Sequence, residues 1–239
     1  YDLAAGPLIF ATLYRVSPRS ARLLVNAHHI IADGLSIRVV RDELATLYGG
    51  AELPPPALQY RDYSIRQRAD AHGDGWERGL DYWRGVLQDA PARTALPSRR
   101  VVSVDDRRHD RQRRSGFVID ATIADGIRAL ARRSNATLFM TLLAAFRVLL
   151  TRCAGQFDIM IGSPVTSRDA GPLRDMVGSL VNNVVFRNPV GAAESFPDVL
   201  ARERDAVLAG LRHADIPFER VVEAVHPRRR FGVHPLFQL

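Results

Sequence analysis

HHIIADG, residues 28–34, joins a predicted strand to a predicted helix. The preceding LLVNA, residues 23–27, is apolar and typical of a buried strand. Ser36, two residues after the segment, is the predicted N-cap of the helix. The apolar residues of that helix recur at helical spacing: Ile37, Val40, Leu44 and Leu47. Because α/β folds commonly place their chemistry where a strand ends in polar side chains, this segment is the first candidate for a functional site.

The polar residues of HHIIADG suit different tasks. His29 is the candidate base, because an imidazole titrates near neutral pH and can both take and release a proton. Asp33 is predicted to hold the shape of the loop by pairing with an arginine. Gly34 is predicted to sit in a tight turn that needs a positive φ or a close backbone approach.

Metal and nucleophilic chemistry are poorly supported by the sequence. In an extended segment the side chains of His28 and His29 point to opposite faces, so the two rings cannot easily share one ion. There is no HExxH motif, and the single cysteine, Cys153, permits no CxxC pair and is interpreted as inert packing. There is no GxSxG motif either. The residues therefore favour a single-base mechanism without a metal, a cofactor or a covalent intermediate.

The composition is that of an ordinary globular protein, with 46% apolar and 25% charged residues in a chain of 239. No apolar run approaches the roughly 20 residues of a membrane span, and no signal peptide is visible, so a cytoplasmic protein without membrane contact is expected. The net charge of +7 comes from arginine with no lysine, which is typical of a coding bias. We therefore predict a solvated surface and no nucleic-acid partner, although the positive charge could steer an acidic protein partner.

Helix and strand patterns alternate along the chain, which predicts an α/β or two-layer α+β fold. The predicted strands cover residues 8–16, 23–27, 116–119, 157–165 and 180–186. The predicted helices cover residues 36–48, 60–71, 76–87, 123–133, 138–152, 196–211 and 218–225. The helix at 138–152, capped by Thr137, is apolar almost all round and is predicted to be buried. A proline-containing run of charges at residues 91–114 is predicted to be an exposed linker.

Five segments, in order, resemble the motifs of condensation domains of nonribosomal peptide synthetases, which are relatives of chloramphenicol acetyltransferase. HHIIADG is similar to the HHxxxDG motif of that family. The other segments are YRDYS at 60–64, VGSLVNNVVFR at 177–187, HADIPFE at 213–219 and HPLFQ at 234–238. The resemblance therefore extends over essentially the whole chain.

The resemblance implies two chloramphenicol-acetyltransferase-like lobes that meet in a V around a central tunnel. Such domains are usually close to twice this length, so both lobes are expected to be incomplete. Residues 1–90 would be the remainder of the N-terminal lobe with HHxxxDG, residues 91–114 the charged linker, and residues 115–239 part of the C-terminal lobe.

The resemblance also implies a reaction. A condensation domain joins a donor acyl or peptidyl thioester to an acceptor aminoacyl thioester and forms an amide bond. Both substrates arrive on the 4'-phosphopantetheine arms of carrier protein domains, and an adenylation domain is a neighbour. The domain itself is expected to bind no cofactor and no metal.

Residue roles follow by matching positions to the family motifs. His29 matches the catalytic histidine, either as a base or as a group that orients the amine and stabilises charge; His28 is interpreted as packing support. Asp33 is expected to pair with Arg168 across the lobe interface. Asn182 and Ser36 are candidates for the tunnel lining, and a structural role is favoured equally for Asn182.

An architectural role is the interpretation for Tyr60, Asp62 and residues 215–218.

Three alternatives to condensation remain open at this point. An epimerisation domain shares HHxxxDG but needs a second acid or base. A recruitment domain of the same fold would bind a partner without catalysis. A free-standing acyltransferase would use acyl-coenzyme A.

Overall fold

The computed structural model describes residues 1–70, 73–94, 115–168, 171–226 and 234–239. These residues mix helices with strands, as predicted for an α/β chain. From position 95 onward, the predicted charged linker lies outside the described residues. Its exposure therefore stays a prediction.

The first two strands form an antiparallel hairpin with two exposed faces. β1 covers Ile9–Ser17 and β2 covers Ser20–Ala27, and Leu13 lies opposite Leu23. Successive side chains of a strand point to opposite faces of a sheet. Since Leu23 is 51% exposed and Leu24 is 44% exposed, the prediction of a buried strand before HHIIADG is wrong. An apolar pattern indicates a strand, but it does not show whether another part of the protein packs on that strand and buries it.

A capping box begins the first helix, α1, at Gly34–Tyr48. Asp33 is its N-cap, because the carboxylate accepts a hydrogen bond from the Ser36 amide at 2.8 Å. The Ser36 hydroxyl accepts a hydrogen bond from the Asp33 amide at 3.2 Å. The prediction of Ser36 as N-cap is therefore wrong by three residues: Ser36 is the N3 residue of the box.

Gly34 does not have the role predicted for it. It is the first residue of α1, and its φ lies outside the left-handed region that favours glycine. A Cβ placed on Gly34 would meet no atom within 4 Å. Neither a positive φ nor a close backbone approach therefore requires glycine at this position.

Six further helices occur in the described residues and agree with the predicted helices to within a few residues. They are α2 Tyr60–Asp70, α3 Asp74–Leu87, α4 Ala121–Arg133, α5 Leu138–Ala154, α6 Phe196–Arg212 and α7 Phe218–Val225. The predicted cap of α5 is confirmed, because the Thr137 hydroxyl accepts a hydrogen bond from the Met140 amide at 3.2 Å.

The helix α5 is less buried than its composition predicted. An exposed stripe runs along it and consists of Leu138, Leu142, Phe146 and Leu149. Cys153 is exposed as well, so the interpretation of this residue as packing is wrong. No described helix is by itself long and apolar enough to cross a membrane; α4 and α5, bent by 106°, meet the length and composition criteria only as a pair.

A second two-stranded sheet pairs β3, Met160–Thr166, with β4, Val181–Arg187. A 3-10 turn, Gly171–Leu173, lies between them in the sequence. The strand predicted at residues 116–119 is not formed, and Phe117 within it is 86% exposed. A strand requires a hydrogen-bonded neighbour, which apolar composition alone does not supply.

Two compact units divide the chain, and both are discontinuous in sequence. The first unit contains Tyr1–Trp76 and Val165–Asn182, and the second contains Glu77–Pro164 and Asn183–Leu239. Asp33 and Arg168 both lie in the first unit. The division into lobes at residues 1–90 and 115–239 stays a prediction.

The second unit has a core of apolar residues around a buried ion pair. Arg147 of α5 and Glu203 of α6 are both fully buried, with Nε 2.5 Å from Oε2 and Nη2 2.9 Å from Oε1. The guanidinium also donates to the carbonyls of Ile159 and Phe186 at 2.5 and 3.0 Å. Asn188 donates to Glu203 at 2.9 Å. These partners offset the cost of removing both charges from water.

The substitution Glu203→Ala should lower the free energy of unfolding by about 3–5 kcal/mol, because it leaves the Arg147 charge buried without its counter-ion. Urea denaturation of both proteins measures this difference. Glu223→Ala is the matched control, since that glutamate forms an exposed ion pair with Arg220 and its removal should barely change the midpoint. Equal midpoints for wild type and Glu203→Ala would contradict the assigned role of the pair.

Candidate active site

His29 lies on a turn between β2 and α1 with its side chain exposed. The turn covers residues 29–31, and His28 separates it from Ala27, the last residue of the hairpin. Within the described parts of the chain, the imidazole of His29 has no hydrogen-bond partner. The ring is therefore free to contact a substrate, as a catalytic histidine requires.

His28 fixes the shape of this turn through its backbone and its ring. Its amide donates to the Leu8 carbonyl at 2.8 Å, and its carbonyl accepts from the Ile31 amide at 3.1 Å. The ring Nδ1 accepts from the Ile30 amide at 3.1 Å, and Tyr1 contacts the ring edge-on at 5.2 Å between centroids. These contacts agree with the interpretation of His28 as support for the neighbouring histidine.

Asp33 holds the other end of the HHIIADG segment, and the predicted ion pair with Arg168 is present. Arg168 Nη2 lies 2.9 Å from Asp33 Oδ1, and both side chains are buried. The second carboxylate oxygen accepts a hydrogen bond from the Leu180 amide at 3.1 Å. The pair therefore joins the start of α1 to the residues that precede β4 within the first unit.

Opposing effects act on the Asp33 carboxyl, and the hydrogen bonds prevail. Burial alone would raise its pKa. The amides of Ser36 and Leu180, followed by the Ser36 hydroxyl and the Arg168 guanidinium, lower it further than burial raises it. The pKa of Asp33 is consequently below its usual value, and the carboxyl is ionised at neutral pH.

Arg168 is itself enclosed by backbone carbonyls. Its Nη1 donates to the carbonyls of Met176 and, at 3.3 Å, Leu173. Its Nη2 donates to the Gly178 carbonyl at 2.9 Å. The planar guanidinium thus binds Asp33 on one side and the turn before β4 on the other. A lysine ammonium is less suited to this, because it has fewer donors and no planar fork.

Ser36 does not line an open cavity, so the prediction that it contributes to a tunnel wall is corrected. Its side chain has no exposed surface. The hydroxyl is 2.8 Å from the Gly178 carbonyl, 3.0 Å from the Gly178 amide and 2.9 Å from Arg168 Nη2. A hydroxyl enclosed in this way is occupied by the protein and has no face left for a substrate.

Tyr60 and Gly178 form a contact that the sequence reading did not identify. A Cβ on Gly178 would overlap the ring of Tyr60, so only glycine lets the ring approach the backbone this closely. The Tyr60 hydroxyl donates to the Ser179 carbonyl at 3.3 Å. Asp62 accepts a hydrogen bond from the Gln59 amide at 3.1 Å at the start of α2. Both contacts agree with the architectural interpretation of YRDYS.

Asn182, the remaining candidate, is a half-buried residue of β4 with interactions of its own. Its contribution to a substrate site stays a prediction. Among the described residues, no group of three or more His, Cys, Asp or Glu side chains could hold a metal ion.

The other two motifs lie in the second unit and make packing contacts there. In HADIPFE, the His213 carbonyl accepts a hydrogen bond from the Trp83 indole at 3.2 Å, and the His213 ring stacks on Tyr82 at 4.2 Å. In HPLFQ, the Phe237 ring covers Gly162 so closely that a Cβ there would overlap it. These motifs therefore stabilise the fold.

Comparison with known proteins identifies the family. The Condensation domain family model matches residues 1–239. The chain is 37% identical over 248 residues to a component of linear gramicidin synthase from Brevibacillus parabrevis and 35% identical over 249 residues to malpinin synthetase of Mortierella alpina. Each alignment covers all of this chain and 3% of the relative.

Solved structures give the same fold. The X-domain from teicoplanin biosynthesis superposes with a TM-score of 0.87 and 27% identity, over 100% of this chain and 55% of that one. Holo-AB3403, a four-domain nonribosomal peptide synthetase, superposes with a TM-score of 0.83 and 24% identity, over 100% of this chain and 18% of that one. The chain thus spans about half of the X-domain structure.

The chain belongs to the condensation-domain family of nonribosomal peptide synthetases. The resemblance carried by the five motifs is therefore confirmed, and so is the chloramphenicol-acetyltransferase-like fold.

The ion pair at Asp33 should make stability depend on acid pH. The pKa of Asp33 is lower in the folded protein than in the unfolded chain, where it is about 3.9. The pair therefore stabilises the protein fully above that value, and this stabilisation is lost as the pH falls through it towards the folded pKa. We expect Asp33→Asn to cost about 3–5 kcal/mol at pH 7 and clearly less at pH 3.

Urea denaturation of wild type and Asp33→Asn at both pH values measures this effect. Asp42→Asn is the matched control, because Asp42 forms an exposed pair with Arg41, and this substitution should have little effect at either pH. A difference between wild type and Asp33→Asn that is the same at pH 7 and pH 3 would contradict a stabilising carboxylate.

Proposed function

We propose that the chain acts as a condensation domain that forms an amide bond between two carrier-bound thioesters. The observation that carries this proposal is the exposed imidazole of His29, which has no partner among the described residues and lies on a turn held by His28 at one end and Asp33 at the other. Both ends of the turn are fixed while the reactive ring is free, which is the arrangement expected of a preorganised catalytic group.

In the proposed reaction, the amine of the acceptor aminoacyl thioester attacks the carbonyl carbon of the donor thioester. A carbon–nitrogen bond forms, the carbon–sulfur bond breaks, and the thiolate of the donor arm leaves. The attacking nitrogen loses one proton, and the departing thiolate gains one. His29 either accepts the proton from the nitrogen or orients the amine and stabilises the tetrahedral intermediate.

Partners and location follow from the proposal. The donor and acceptor would be presented on 4'-phosphopantetheine by carrier protein domains, with an adenylation domain nearby, as similarity to nonribosomal peptide synthetases supports. The phosphopantetheine is part of the substrate, and the domain would bind no cofactor of its own. The cytoplasm, where such thioesters are loaded, is the proposed compartment.

A recruitment domain is the second candidate function. The observation in its favour is the similarity to the teicoplanin X-domain, a protein also solved in complex with OxyB. The intact HHxxxDG motif with its free His29 supports condensation instead. Epimerisation, which needs a second acid or base, is a third outcome that the same assay distinguishes.

Substitution of His29 tests the proposed function. In the full polypeptide that contains this chain, with both carrier domains loaded, His29→Ala should lower the rate of dipeptide formation by about 100-fold or more. The product is quantified by mass spectrometry after quenching. Arg38→Ala is the control, because this arginine is exposed on α1 and belongs to no described ion pair.

Two results would overturn the proposal. Equal dipeptide yield from wild type and His29→Ala would remove His29 from catalysis. The other result is a wild type that forms no dipeptide. Recovery of both substrates unchanged would then indicate recruitment, whereas incorporation of solvent deuterium at the donor α-carbon would indicate epimerisation.

A further inference from the structure

The Ser36 hydroxyl is the point at which three parts of the first unit meet. Three N–H donors converge on its oxygen: the Asp33 amide at 3.2 Å, the Gly178 amide at 3.0 Å and Arg168 Nη2 at 2.9 Å. The hydroxyl proton has two acceptors at 2.8 Å, Asp33 Oδ1 and the Gly178 carbonyl. A hydroxyl donates one hydrogen bond and accepts two, so the Ser36 hydroxyl has more potential partners than it can bond at one time.

This arrangement exceeds what a helix cap requires. A capping box needs only the reciprocal bonds between Asp33 and Ser36. Here the hydroxyl also binds both the amide and the carbonyl of Gly178, a residue 142 positions away in the sequence. The segment that contains Gly178 leads directly into β4, which carries Asn182. Ser36 therefore connects the turn that carries His29 to the start of β4.

We propose that Ser36 is a positioning residue for the reaction at His29. Its hydroxyl holds the HHIIADG turn in register with residues 177–180, and so fixes where the His29 ring lies relative to the backbone that leads into β4. The residue contacts no substrate, because it has no exposed surface. This inference rests on the proposed condensation function.

The fold should survive loss of this hydroxyl, which separates positioning from folding. Asp33 and Arg168 remain joined directly at 2.9 Å without Ser36. Arg168 also keeps its bonds to the carbonyls of Met176 and Leu173. What is lost is the acceptor for the amides of Gly178 and Asp33, and with it one anchor of the turn. The expected defect is a looser active-site turn in a folded protein.

The decisive variant is Ser36→Ala in the full polypeptide with both carrier domains loaded. We expect kcat for dipeptide formation to fall about 10- to 100-fold, because small displacements of a catalytic group cost rate. KM for the acceptor carrier should change by less than about threefold, because the residue does not contact substrate. Thr46→Ala is the control: this exposed hydroxyl of α1 bonds only its own helix, and its loss should leave kcat unchanged.

Ser36→Cys is the second variant, and it tests the positioning role if Ser36→Ala does not fold. The thiol is larger than the hydroxyl and hydrogen-bonds only weakly, so kcat per folded molecule should again fall. A wild-type kcat per folded molecule in either folded variant would overturn the positioning role and leave the proposed function intact. A wild type that forms no dipeptide would overturn the proposed function, and this inference with it.

Discussion

The ion pair between Asp33 and Arg168 is the interaction on which the first unit depends. It joins residues 135 positions apart and explains why Val165–Asn182 forms a compact unit with the N-terminal part of the chain. Burying two charges costs several kcal/mol per ion unless their remaining hydrogen-bonding groups are satisfied. Ser36, Gly178 and the Leu180 amide supply those partners. The pair, the helix cap and the turn before β4 therefore form one hydrogen-bonded network.

This network gives the three polar residues of HHIIADG different physical roles. Asp33 is both the N-cap of α1 and the counter-ion of Arg168, while His28 accepts a hydrogen bond from the turn itself. The side chains of Asp33 and His28 are thus already hydrogen-bonded within the protein, whereas the exposed His29 ring has no partner among the described residues and can contact a substrate. A catalytic group works best when its surroundings are fixed before the substrate arrives, because no reorganisation is then needed during the reaction.

Sequence reading predicted the motifs and their partners better than it predicted burial. Matching of motifs identified the Asp33–Arg168 pair, because both residues lie at positions that the family motifs mark. It assigned Ser36 to a tunnel wall because the long-range contact with Gly178 leaves no local pattern. The contact between Tyr60 and Gly178 did have a signal: a glycine among bulky residues marks a close approach of another group. The burial expected for β2 and α5 failed because apolar periodicity does not reveal which face is covered.

Hydrogen exchange at the turn before β4 tests whether this network holds the His29 turn in place. The amides of Gly178 and Leu180 donate to Ser36 and Asp33, whereas the Ser179 amide between them has no partner among the described residues. Residue-resolved exchange at neutral pH should therefore show Gly178 and Leu180 protected by about 100-fold or more relative to Ser179. Equal and rapid exchange at all three amides would show that the network does not hold this segment, and would contradict its role in fixing the His29 turn.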